Sequence, residues 1–214
     1  MELLDRNMTI SEIKEYLLDN IAQSWENDIA PILSGRGGFF ILPREFFCYC
    51  DFLGSFYVGL HGRNARTGTG ARRAAERYLD EILGEIDEGY RDNRSLLYQM
   101  YRHGTVHAYQ PKTLENPTDG RIISWLPYRG ARDQWQYVEH EAVEVRHLLP
   151  ITLDETVYRM PVSIDCLYWD MLESIKKHVE IMEIQNQSGN NTLIQNFNQF
   201  RNFLTSFEST NLTW

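Results

Sequence analysis

Cysteine is scarce in this chain, and long apolar runs are missing altogether. Cys48, Cys50 and Cys166 are an odd number in 214 residues, which is not the pattern of a disulfide framework; they are expected as reduced core residues. No stretch approaches the roughly 18 consecutive apolar residues that cross a bilayer. The opening residues, Met1-Glu2-Leu3-Leu4-Asp5-Arg6, lack the basic-then-apolar order of a secretory leader. A soluble cytoplasmic protein with no membrane association is therefore the expectation. Cations are in the minority as well, with 21 Lys and Arg against 30 Asp and Glu and a formal charge of −9. That balance excludes a surface coated for nucleic acid, because such affinity comes from clustered cations that release counterions. Recognisable metal-ligand spacing is also wanting. His103 and His107 are four apart and His140-Glu141 could add donors, but nothing fixes their separation, and the Cys48-Tyr49-Cys50 pair has no second pair. No metal and no cofactor is expected.

What is present is apolar and periodic. Apolar residues make up 43% and aromatics 13% of the chain, enough for a folded core. Thr9 and Glu12 have capping-box spacing, and Ile10, Ile13, Leu17, Ile21 and Trp25 follow at intervals of three and four, predicting a helix to about Ile29, before Pro31. A turn over 34–38 leads to 39–60, apolar on nearly every side and read as a buried helix with Pro43 near its start. Further helices are predicted over 71–86, with Ala74, Tyr78, Leu79, Ile82, Leu83 and Ile86 on one face, and over 92–103. From 111 to 161 five prolines and repeated turn signals separate short β-prone stretches. Ser163 then caps a helix to Ile184 with Leu167, Met171, Ile175, Val179 and Met182 in one stripe, and a polar linker precedes an amphipathic helix marked by Leu193, Phe197, Phe200, Phe203, Leu204 and Phe207. The predicted fold is mainly α: a helical bundle with a small antiparallel β insertion at about 111–161. One helical domain over 1–184 carries that insertion, and 185–214 forms the linker and terminal helix.

Charge is uneven along the chain. Arg63, Arg66, Arg72 and Arg73 lie between His61 and Arg73 with no acid among them. The Gly-rich stretch 62–70 leads into a helix, whose exposed amides together with these arginines would suit a phosphate. It lacks the Lys-hydroxyl ending of a Walker loop, and a solvated loop is the simpler reading. The four arginines are carried forward as candidate phosphate-binding residues.

The segment Tyr101-Arg102-His103-Gly104-Thr105-Val106-His107 resembles the R-x(4–6)-H motif of the HEPN superfamily, helical proteins that include many metal-independent ribonucleases of prokaryotic defence and toxin systems. The polar residue after the arginine, His103, agrees with that pattern, and the resemblance covers about 92–112. It implies a metal-independent endoribonuclease with His107 as general base, Arg102 as phosphate stabiliser and His103 beside them. It also implies a homodimer with the motif near the two-fold axis, single-stranded RNA as substrate, and an antitoxin or other protein as partner. The chemistry is coherent, because RNA brings its own nucleophile in the 2′-hydroxyl. On a straight α-helix, residues five apart point about 140° away from each other, so Arg102 and His107 converge only if the helix distorts or two protomers pair their motifs. Two alternatives stand beside the enzyme: a noncatalytic helical interaction module, and a nucleotide-binding protein.

Overall fold

The computed structural model describes residues 7–35, 37–65, 67–103 and 110–205, with 103 by its backbone alone. The chain opens with α1 (Ile10–Glu15), capped as its sequence predicts: Thr9 Oγ1 accepts from the Glu12 amide, and the Glu12 carboxylate accepts from the Thr9 amide at 2.8 Å. The helix then loosens into a π-helix (Tyr16–Ala22) and resumes as α2 (Gln23–Ser34). It runs past Pro31 instead of stopping before it. Proline forfeits one intrahelical bond there, but Pro31 is exposed, so the carbonyl it leaves unpaired lies on a solvated face. Ile13, Leu17, Trp25 and Ile29 are buried, and Trp25 Nε1 donates to the Tyr168 carbonyl at 3.1 Å.

α3 (Ile41–Val58) is the centre of the helical layer and ends on Gly59, whose φ of 64° is the left-handed cap that glycine adopts at no steric cost. Its closest neighbour is α5 (Gly68–Glu81), reached through the one-turn α4 (Gly62–Ala65) and started by the Thr67 cap. The two backbones touch at Gly54, where a Cβ would come within 2.4 Å of the Ala74 carbonyl. A 3-10 turn (Leu83–Glu85) leads to α6 (Glu88–Leu97), which continues as a second π-helix (Tyr98–His103).

The region expected as an antiparallel insertion is a mixed sheet. β1 (Leu114–Glu115), β2 (Ile122–Tyr128), β5 (Ile151–Thr152) and β6 (Val157–Ser163) lie in the order β1-β2-β6-β5. The central pair is parallel, in register from Ile122 opposite Val157 to Tyr128 opposite Ser163. Parallel pairing needs a long crossover, and the chain between β2 and β6 supplies it. That crossover carries a separate two-stranded ribbon, β3 (Gln136–Val138) and β4 (Val143–Val145), whose inner side joins Leu126 and Tyr128 in a small second core. The molecule is thus mainly α with a β part, not a pure bundle.

β6 runs directly into α7 (Ile164–Gln187). Ser163 caps it by accepting from the Cys166 amide and also donates to the Gly130 carbonyl at 2.6 Å. The whole stripe predicted for this helix, Leu167 to Met182, is buried, and the helix takes in the first residues of the expected linker. α8 (Thr192–Thr205) closes the layer on α3, with Phe197 stacked on Phe56 at 4.2 Å between ring centroids. Phe207 lies outside the described residues. Among these residues no helix is long and apolar enough to cross a membrane.

Candidate functional site

Arg102 sits in the second π-helix, which continues α6 as far as His103, the last described residue before 110. Its Nε donates to Asp51 Oδ2, and Tyr98 Oη donates to Asp51 Oδ1 at 2.9 Å. Asp51 belongs to α3, so a carboxylate from the central helix grips an arginine and a tyrosine from the motif helix. The pair is mostly enclosed, with the Arg102 side chain 25% and that of Asp51 14% exposed. Burial works against the Arg102 charge, yet the hydrogen bond and charge of Asp51, with Cys48 and Tyr98, together outweigh it and hold the guanidinium pKa above its ordinary value. Burial, then Asp51, pushes the Tyr98 phenol well up. Burial likewise raises the neighbouring Cys48 thiol, with Arg102 partly offsetting it. Only Nε of the guanidinium is engaged by a described residue, which leaves the two Nη groups, the fork that recognises phosphate and carboxylate oxygens.

His107 lies outside the described residues, and so does the side chain of His103. Of the four arginines upstream, Arg66 also lies outside them. Arg72 reaches the motif helix: Nε pairs with Glu76 at 2.8 Å and Nη2 donates to Ser95 Oγ at 2.8 Å, one turn before Tyr98, where its charge opposes the upward shift of that phenol. Arg73 lines a different hollow of about 290 Å³ with Thr67, Gly70 and Arg77, and Arg63 is exposed on α4. The segment is thus partly helical, not a continuous loop, and Arg72 and Arg73 meet different neighbours.

A second polar cluster, which no sequence pattern announced, joins the sheet region to the helices. Asp170, 1% exposed on α7, accepts from Tyr90 Oη at 2.6 Å and from Arg132 Nη2. Arg132 also donates to the Ile86 carbonyl at 2.6 Å and lies 3.7 Å from Asp87. His147 Nδ1 accepts the Ser163 amide at 3.0 Å, which assigns its proton to Nε2, facing Tyr90 Oη at 3.2 Å. Burial, and then the Arg132 charge, depress the His147 pKa to about 3. The imidazole is therefore neutral at ordinary pH, and its 3.6 Å approach to Asp170 is a contact of dipole with charge rather than an ion pair. These residues come from α6, α7 and two loops of the crossover, which is why spacing along the sequence did not bring them together.

Compared with protein-family models, with curated proteins and with solved structures, the chain matches none of them. What the site does is read from its own chemistry.

Proposed function

We propose that this chain is a metal-independent ribonuclease of the HEPN type, acting on single-stranded RNA as a homodimer. The observation that carries the reading is Arg102 held through Nε by Asp51, with its Nη groups bonded to no other described residue. An arginine restrained in this way meets a phosphate without first being ordered, which is the preorganisation that stabilises developing charge. The π-helix supports the same reading. It covers the described part of the motif, and π segments recur at functional sites.

In the reaction His107 takes the proton of the 2′-hydroxyl and the oxygen attacks phosphorus. The bond from phosphorus to the 5′-oxygen breaks, water protonates the leaving oxygen, and a 2′,3′-cyclic phosphate remains, with Arg102 balancing charge on the non-bridging oxygens. Digestion of unstructured RNA in excess EDTA tests this. Loss of a general base costs about 10² to 10⁴ in rate, so His107→Ala is expected to fall by at least the lower figure and Arg102→Ala to fall with it, both keeping the wild-type circular dichroism. Equal inertness of all three proteins rejects the enzyme. Sedimentation equilibrium at tens of micromolar separately tests the shared site, and a monomer there removes its two-protomer form.

A noncatalytic interaction module is the second reading. It is favoured by the charge pairing at the site, where Asp51 neutralises Arg102 and Glu76 neutralises Arg72.

A further inference from the structure

A cleft remote from Arg102 is lined by both apolar and charged side chains. It encloses about 660 Å³ between the first π-helix and α7, within the range of sites that hold small organic molecules. Leu18 and Ala22 of the π-helix line it on one side, Leu172 and Trp169 of α7 on the other, and Arg132 lines it as well. A hollow of about 320 Å³ shares Arg132, Trp169 and Asp170 with it. Neither is lined by Arg102 or Asp51.

Three features set this cleft apart. A seven-residue π-helix is rare and is retained mainly where a site needs it. Trp169 is 62% exposed on α7 and lines the cleft, so a large aromatic surface is offered to whatever enters. The charges at the opening are unequal. Arg132 is already balanced by Asp170 and Asp87, which leaves Glu26 and Glu173 against Lys176 alone. A ring face with surplus carboxylate beside it is the environment in which an ammonium group gains both cation–π and Coulombic attraction, while the aliphatic walls suit an apolar body.

We propose that this cleft binds a small organic cation, an amine carried on an apolar or aromatic skeleton. The test is calorimetric titration of the full chain with three probes of similar size: phenethylamine, 3-phenylpropionate and 3-phenylpropanol. Phenethylamine is expected to bind at least about tenfold more tightly than either of the others, the scale of a desolvated cation–π contact. Trp169→Ala is expected to abolish that preference and Glu26→Gln with Glu173→Gln to weaken it, while Lys176→Ala strengthens it. Arg102→Ala leaves it unchanged, which keeps this test separate from that of RNA cleavage. Equal binding of the three probes, no binding of phenethylamine, or an unaltered preference in Trp169→Ala overturns the proposal.

Discussion

His178 shows what a single buried group does to this protein's response to acid. It is fully enclosed between Tyr57 and Tyr78, with ring centroids 5.3 and 5.7 Å away, and neither ring nitrogen has a hydrogen-bond partner among the described residues. Burial lowers its pKa from 6.5 to about 4, and His147 is lowered to about 3. Both are neutral in the fold and take up a proton on unfolding once the pH drops below 6.5. The stability they permit is therefore whole above about pH 6.5. It declines as the pH falls toward 4, by about 1.4 kcal/mol per pH unit for each histidine. For His178 the full loss is about 3 kcal/mol. His178→Leu removes two unpaired buried nitrogens, a gain of about 1 kcal/mol at pH 7.5, and should roughly halve the slope of stability against pH between 6 and 4.5. Urea unfolding at a series of pH values measures both, and an unchanged slope in the variant would show that His178 is not buried neutral.

Among elements, the helices were the most legible because an amphipathic stripe records the side that is buried. The Ser163 cap and the stripe from Leu167 to Met182 were read residue by residue, and so was the Thr9 capping box. The two π-helices left no such mark, since one extra residue per turn shifts a stripe without erasing it. In the sheet, prolines and turn signals marked out short strands but not their direction. Nothing local distinguishes β2 beside β6 in parallel from a hairpin, because the choice is made by chain that lies between them. The candidate site divides in the same way. Arg102 was visible through a local motif, whereas its anchor Asp51 lies 51 residues away inside an apolar helix. Close contact between elements is open to test at Gly54. Alanine there favours the helix by about 1 kcal/mol, but its Cβ would meet the Ala74 carbonyl at 2.4 Å. Prising α3 from α5 costs about 1 to 3 kcal/mol, so Gly54→Ala is expected to come out neutral to destabilising by about 2 kcal/mol in chemical denaturation. A more stable variant would mean that the two helices part freely.

On the scale of the whole molecule, the question is what makes sheet and helices one body. Met160 and Val162 of β6 enter the main core, and Arg129 donates to the carbonyls of Leu33, Gly35 and Gly37, tying the turn after β2 to the end of α2. A further link is polar and buried. Asp170 of α7 receives Arg132 from the loop after β2 and Tyr90 from α6, and Tyr90 in turn meets His147 from the loop after β4. A buried charge cluster of this kind adds little net stability over an apolar equivalent, but it is costly to break on one side, because the abandoned partners cannot reach water. Asp170→Ala would leave the Arg132 guanidinium without its closest counter-charge and the Tyr90 hydroxyl without its acceptor. A loss of about 3 kcal/mol follows for a pair whose arginine is partly exposed, the low end of the range for enclosed pairs. The loss should be local first. Hydrogen exchange is expected to quicken through the crossover of 129–152 while the amides of α3 and of the middle of α7 keep their protection, and Asp170→Asn, which preserves an acceptor for Tyr90, should show a smaller effect of the same pattern. Uniform quickening across α3 and the crossover together would mean that sheet and helices unfold as a single unit and that the cluster is not the joint between them.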